Sequence, residues 1–370
     1  MAAARDNVVV VGAGIIGASI GYHLARRGAQ VTILEKHRPA SGATRDSFAW
    51  LNAFRKQPFS YYRLNVQGIL GWRRLQNEIG PQLRIQWGGG VAWCRPDVEQ
   101  QRELEQTVRQ RQAWGYPIRS LDEPALRRLL PGIEPGPFGG GWFCGSEGTL
   151  DPITTTEVLI QAAETHGAKL MSSMNVERIE KSGPRELRVL TNQGSVAANV
   201  VVIAAGIATP ALAAGVQLLI PLKTSRGILA YSKPCAPLLE RVIMPPGIDM
   251  KQQDDGRIVT GANFADSGDQ HASPQRGQEL LGLVQQFIAP VKQAVPALEL
   301  DFVRLGYRVL PIDGHPIVGR SLTHPDVHVV ATHSGITLAP IIGELLASEI
   351  LEGAEARLLA EFRPSRFASG

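Results

Sequence analysis

The sequence predicts an α/β fold, with βαβ units at both ends of the chain and mostly antiparallel strands between them. Three stretches predict it. Residues 8–11, Val8-Val9-Val10-Val11, form an apolar run of buried-strand type that enters Gly12-x-Gly14-x-x-Gly17. Residues 200–203 form a second such run, ending in Ala204, Ala205 and Gly206. Residues 327–331 form a third, followed by a short loop at His333-Ser334-Gly335 and an apolar helix over about 336–351.

The first of these carries the sharpest chemistry. Gly12 permits a tight turn, Gly14 lets the backbone approach a pyrophosphate, and Gly17 lets the following helix lie close to the strand. The helix N-terminus offers unpaired N–H groups and a positive dipole end to phosphates. Ile16, Ile20 and Leu24 repeat at helical spacing, and Gly28 caps the helix C-terminally. A second strand over 30–34 then ends at Glu35, eighteen residues beyond Gly17, where a carboxylate accepts hydrogen bonds from an adenosine ribose. A glycine-rich turn alone also serves purely structural ends. Both strands, the helix and the acid together specify dinucleotide binding.

In chain order, residues 61–79 read as an amphipathic helix and 83–93 as strands around Gly88-Gly89-Gly90. Residues 97–114 read as a polar helix, and Asp122-Glu123-Pro124-Ala125 opens another. Residues 131–148, rich in Gly and Pro, read as a loop or domain crossing. A helix over 153–166 and two or three strands lead to the run at 200–203. Residues 216–264 alternate apolar and polar positions between turns, the pattern of antiparallel sheet, and 274–293 read as a helix.

Composition sets limits. A chain of 370 residues suffices for about two domains. The formal net charge of +4 is small for this length, and the basic stretch 102–111 is interleaved with Glu99, Glu103 and Glu105. It reads as a solvated helix face and argues against nucleic-acid binding. Cys94, Cys144 and Cys235 are odd in number and widely spaced, which fits neither a disulfide framework nor a zinc site and suits a reducing compartment. The opening residues do not read as a signal peptide, and no apolar window reaches the length of a membrane span. The expectation is a cytoplasmic protein of unspecified oligomeric state.

The C-terminal string Gly306-Tyr307-Arg308-Val309-Leu310-Pro311-Ile312-Asp313-Gly314-His315-Pro316-Ile317-Val318-Gly319, with His333-Ser334-Gly335-Ile336-Thr337-Leu338-Ala339-Pro340, resembles the signature of FAD-dependent amine oxidoreductases. These are the glycine oxidase, sarcosine oxidase and D-amino-acid oxidase or dehydrogenase group. The resemblance extends to the N-terminal glycine motif, to Ser41-Gly42-Ala43-Thr44, to 148–152 and to 201–206. It implies a Rossmann-like FAD-binding domain, discontinuous over 1–85, 145–222 and 305–370. An inserted, mostly antiparallel α+β substrate domain would comprise 86–144 and 223–304.

The resemblance also implies contacts with non-covalently held FAD. Gly12, Gly14, Ile15, Ile16 and Gly17 would face the pyrophosphate, with Ser41, Gly42, Ala43 and Thr44 beside it. Glu35 and Lys36 would lie at the ribose, and Val176 would meet the adenine through its backbone. Ser47, Phe48, Ala205 and Gly206 would approach the flavin, and Ser334, Gly335, Ile336, Thr337 and Leu338 would cover N1 and O2. There a helix N-terminus would stabilise the negative charge that develops on reduction. The three cysteines all fall outside these segments, so no covalent link to the ring is expected.

Arg308 is the candidate for the substrate carboxylate, since a guanidinium fork offers two parallel charge-assisted hydrogen bonds. The alternative is an arginine ion-paired at a domain seam. Two departures from the family pattern stand out. Val309 replaces a proline, and the loop at His333 is shorter by about two residues and lacks the extra arginine of glycine oxidases. His333 either sits near the flavin or serves as a structural hydrogen bonder. Tyr307, Met250, Gln252 and Phe264 are candidate pocket walls, with core or sheet packing as the alternative for each.

The implied reaction removes a hydride from the carbon beside an amine nitrogen of a small amino acid or N-substituted glycine. It is delivered to flavin N5, and O2 or another electron acceptor then takes the electrons. No catalytic acid or base and no metal site is expected. Two alternatives remain open: a flavin subunit of an amino-acid or hydroxyproline dehydrogenase that passes electrons to a partner, and a non-catalytic FAD-fold carrier.

Overall fold

The computed structural model describes residues 6–262, 272–288 and 297–368. Its organising element is a six-stranded sheet in which the strand Asn7–Val11 lies between Gln30–Leu34 and Val200–Ile203. Lys169–Met171 extends it on one side and Val327–Ala331 on the other, all parallel, and Ile317–Arg320 closes that edge antiparallel. Val8, Val9 and Val10 are fully buried, which is why the strand reads as an unbroken apolar run. A buried valine contributes about 1.5 kcal/mol or more of transfer free energy.

The helices Ile15–Arg26 and Gly335–Glu352 pack side by side on one face of this sheet, joined by Phe59–Ile79 and Pro152–Thr165. The approach of the last helix is close. Gly343 lies against Ser19 and His23, and Ser19 Oγ donates a 2.7 Å hydrogen bond to Ala339 O. Pro340 sits inside that helix, next to Gly71 of the neighbouring one.

An eight-stranded sheet holds most of the remaining strands. Its order runs Leu300–Tyr307, Arg226–Ser232, Ile258–Gly261, Asp249–Gln252, Val242–Met244, Gly90–Cys94, Gly140–Cys144, Ile118–Leu121. Every neighbour is antiparallel except Val242–Met244 with Gly90–Cys94.

Two expectations need correction, and a third reaches beyond the described residues. The stretch 131–148 is not merely a crossing, because Gly140–Cys144 is a strand of this sheet paired on both sides, one in from its edge. Gly140 and Gly141 are part of it, so the Gly-rich composition concealed a pleated segment. Between 165 and 200 the chain makes a short parallel strand and a three-stranded antiparallel sheet, Val176–Gly183, Glu186–Thr191 and Gly194–Ala198, more than the two or three strands expected. The late helix is described over Pro274–Ile288, and its expected end at 293 lies outside the described residues.

Candidate functional site

A connected cavity of about 1820 Å³ opens at the carboxyl ends of the parallel strands and is bounded opposite by the eight-stranded sheet. Open α/β sheets bind ligands at this end, where successive crossovers part. Ligand pockets commonly hold about 300–1,000 Å³, so this cavity has room for an extended dinucleotide together with a substrate.

The glycine motif forms its first wall. Gly12 adopts φ +106°, and a Cβ there would stand 2.5 Å from Ala204 O, which ties the motif to the end of Val200–Ile203. Gly17 lies beneath the turn, where a Cβ would collide with Gly12 O, so it seats the helix without touching the cavity. The helix Ile15–Arg26 has no side-chain cap of its own. Ile15 N instead donates to Thr44 Oγ1 at 3.1 Å, which brings the 41–44 loop over the motif. Glu35 accepts from Ala13 N at 2.8 Å and His37 N at 3.0 Å, so its carboxylate braces the turn as well as facing the cavity. A cradle of this shape, with backbone N–H groups and a carboxylate at the second strand, fits the adenosine diphosphate half of FAD.

The second wall is the start of the last helix. Ser334 to Thr337 line the cavity, whereas Leu338 is fully buried in the core and does not reach it. Trp72 Nε1 donates to Ile336 O at 2.7 Å, and Thr337 Oγ1 donates to Trp50 O at 3.2 Å. This fixes where the helix end points. Lys56 Nζ donates to Ser334 Oγ at 2.9 Å, and the Tyr61 hydroxyl shares a 2.7 Å hydrogen bond with the same oxygen. Burial lowers the Lys56 pKa to about 8, against the attraction of Glu147. His333 presents its ring to the cavity. Desolvation and then the positive fields of Lys56, Arg308 and Lys223 hold it well below its ordinary pKa, so it is neutral near pH 7.

The third wall comes from the eight-stranded sheet. Arg308 Nη1 donates to Ser225 Oγ at 3.0 Å and to Arg226 O at 3.1 Å, and Nη2 lies within 2.4 Å of where a Cβ of Gly227 would stand. Tyr307 lines the cavity and is exposed. Met250 does not line it and is fully buried with Ile258 and Val284 on the opposite face. Gln252 is likewise turned away, accepting from Leu238 N at 2.6 Å and Leu239 N at 3.1 Å. Strand side chains alternate, so the cavity face of Asp249–Gln252 carries Asp249 and Lys251. Phe264 lies outside the described residues.

Lys251 is buried behind Phe48, its Nζ donating to Thr149 Oγ1 at 2.7 Å and Leu150 O at 3.1 Å, and burial lowers its pKa to about 7. Asp249 lines the cavity, and burial raises its carboxyl to about 7 against the field of Arg55. A single residue of strand register separates these charged groups from Met250 and Gln252, the candidates read from the sequence.

One further expectation changes. Arg111, which the sequence assigns to a solvated basic face, is buried, donates to Phe54 O and stacks 4.5 Å from the Trp114 ring centroid. Cys94, outside the segments expected to touch the ring, lines the same cavity, and burial raises its thiol pKa. Glu147 is fully buried and accepts from Trp50 Nε1 at 2.9 Å and the Tyr116 hydroxyl at 2.5 Å. Desolvation holds its carboxyl above the usual range. Lys56, Glu147, Asp249 and Lys251 are the charged groups that motif reading missed. Among the described residues no helix is long and apolar enough to cross a membrane.

Known proteins share this arrangement. The chain is 25% identical over 358 residues to glycine oxidase of Bacillus licheniformis, covering 94% of this chain and 93% of that one. It is 26% identical over 377 residues to a subunit of the opine oxidase of Rhizobium meliloti, covering 98% and 97%. The crystal structure of glycine oxidase from Geobacillus kaustophilus superposes with a TM-score of 0.86 at 25% identity, over 98% of this chain and 99% of that one. The family model described as DAO, FAD dependent oxidoreductase, matches residues 7–349. With the glycine cradle, the Glu35 carboxylate at the end of the second strand and the last helix starting at the cavity wall, the chain belongs to the DAO family of FAD-dependent oxidoreductases.

Proposed function

We propose that this flavoenzyme oxidises the C–N bond of a small amino acid or N-substituted glycine, in the manner of a glycine or D-amino-acid oxidase. The observation that carries this reading is Arg308, whose guanidinium is held against Gly227 by Ser225 and the Arg226 carbonyl on the cavity wall. A fork held in this way suits a carboxylate. When bound, the flavin supplies N5 as the hydride acceptor. The chain's own part is positioning: Arg308 anchors the carboxylate, and neutral His333 adds no charge of its own beside the substrate amine. The helix end at Ser334 to Thr337, with Lys56 beside it, offers positive potential where negative charge develops.

In the same reading, FAD is bound without a covalent link through the residues of the first two walls. The FAD domain comprises 1–85, 145–222 and 305–370 and the substrate domain 86–144 and 223–304. The three free thiols support a cytoplasmic setting. Anaerobic bleaching of the yellow protein by a panel of amino acids tests the assignment. Reduction by carboxylated amines and not by their carboxylate-free analogues supports it, and no bleaching by any of them refutes it.

A second reading is favoured by the similarity to the opine oxidase of Rhizobium meliloti, because the matching protein there is named as one subunit of that oxidase. Here the flavin is reduced by the same substrates, and the electrons go to a partner protein instead of O2. Slow recolouring in air, accelerated by an artificial electron acceptor, would favour it.

A further inference from the structure

We propose that Asp249 holds a cationic group at the far end of the substrate, so that the preferred substrates carry a second, distal ammonium or guanidinium. This deepens the amino-acid reading above and rests on it. Asp249 opens the strand Asp249–Gln252, lines the cavity and is 4% exposed. No hydrogen bond or ion pair joins its carboxylate to any described residue. Arg55, also on the cavity wall, reaches it only through its field. A buried carboxylate without a partner is costly, and its pKa rises for that reason. A ligand cation would relieve the cost.

Register places the carboxylate relative to Arg308. Asp249 pairs with Gly261, and continuing the pairing of Ala230 with Thr260 sets Gly261 opposite Leu229. Gly227, against which the Arg308 guanidinium lies, is two residues along from Leu229 on the same face. Arg308 and Asp249 therefore stand on one sheet face, at the same end, with the strand Ile258–Gly261 between their positions. With strands about 4.8 Å apart and a rise of about 3.3 Å per residue, the backbones of Gly227 and Asp249 are roughly 12 Å apart.

An α-amine lies within a few bonds of its own carboxylate. With that carboxylate on Arg308, the reacting nitrogen stays well short of Asp249. Asp249 is thus placed for the far end of a longer substrate, and its role is specificity, not proton transfer at the reacting nitrogen.

The test uses the FAD-loaded protein and two measurements. In the first, the flavin absorption spectrum is titrated with 6-aminohexanoate and with hexanoate, which differ at the distal end. The parent should bind the amino compound about ten- to a hundred-fold more tightly, the worth of one charge-assisted hydrogen bond. Asp249→Asn, with normal FAD content, should bring the two within about threefold, and Asp249→Glu should retain the preference. Equal binding by the parent, or an undiminished preference in Asp249→Asn, overturns the assignment.

In the second, lysine and norleucine of both configurations are compared in anaerobic bleaching. Reduction by both amino acids at equal kcat/KM would overturn the Asp249 assignment and leave the oxidation reading standing. A cation preference in the titration without any bleaching would do the reverse.

Discussion

Lys56 reaches across the cavity edge to Ser334, donating a 2.9 Å hydrogen bond to the hydroxyl of the residue that precedes the helix Gly335–Glu352. The two are 278 positions apart in sequence and belong to no shared motif. Their contact places a cation beside the helix end that lines the cavity, where in the proposed reading negative charge develops.

Lys56→Met should therefore slow anaerobic flavin bleaching by roughly tenfold, about the effect of one lost charge-assisted interaction. It should also lower the flavin reduction potential. Because burial depresses the Lys56 pKa to about 8, its charge is present below that pH and lost above it. The difference between parent and variant should accordingly shrink as pH rises through about 8. A constant difference from about pH 6.5 to about 9.5, well to either side of that pKa, would show that the side chain acts by shape alone.

Glu35→Ala should weaken FAD retention by roughly ten- to a hundred-fold. The structure adds a cause beyond the ribose, since the carboxylate also accepts from Ala13 N and His37 N and so braces the glycine turn. Glu35→Gln keeps an acceptor for one of these N–H groups and should lose less. Flavin content after exhaustive dialysis reads the effect. Full occupancy in Glu35→Ala would move the ribose contact elsewhere.

Arg308→Lys should raise KM strongly for carboxylated amines, because a point charge cannot reproduce the planar fork or its bonds to Ser225 and Arg226. Should the fork also set the angle of the C–H bond, kcat falls as well. Arg308→Ala should be worse, with FAD content near normal. Parent-like kinetics in both variants would leave Arg308 a purely structural wall residue.

Acid precipitation should release the yellow chromophore into the supernatant. Cys94 lines the cavity, yet burial raises its pKa, so little reactive thiolate is present near neutral pH. Colour retained in the pellet, and lost in Cys94→Ser, would reveal a covalent link.

Stability rests in part on the pair Arg363 and Glu349, whose side chains are 16% and 6% exposed. Glu349 also accepts from Ala356 N at 2.7 Å, tying the C-terminal segment to the last helix. Arg363→Met strands a buried carboxylate and should cost about 3 kcal/mol, the lower end of the range because Arg363 is not fully enclosed. Denaturant unfolding measures it, and a loss under about 1 kcal/mol would place the pair among ordinary surface bridges.

The apolar strands around 8–11, 200–203 and 327–331, the glycine turn, the acid that ends the second strand and the helix after Ser334 were all legible in the sequence. Each is local: a buried parallel strand is an apolar run, and a phosphate turn is a fixed spacing of glycines. Which residues wall the cavity on the side of the eight-stranded sheet was settled only by long-range contacts. Whether Met250 or its neighbours Asp249 and Lys251 face the cavity depends on the register of Asp249–Gln252 against Ile258–Gly261. A strand has two faces, and only the sheet packed against it says which is inside. The same holds for Arg111, Cys94 and Lys56. A side chain's solvation and partners come from segments far away in the chain, and those contacts, not the residue's own neighbours, set its charge state and its chemistry.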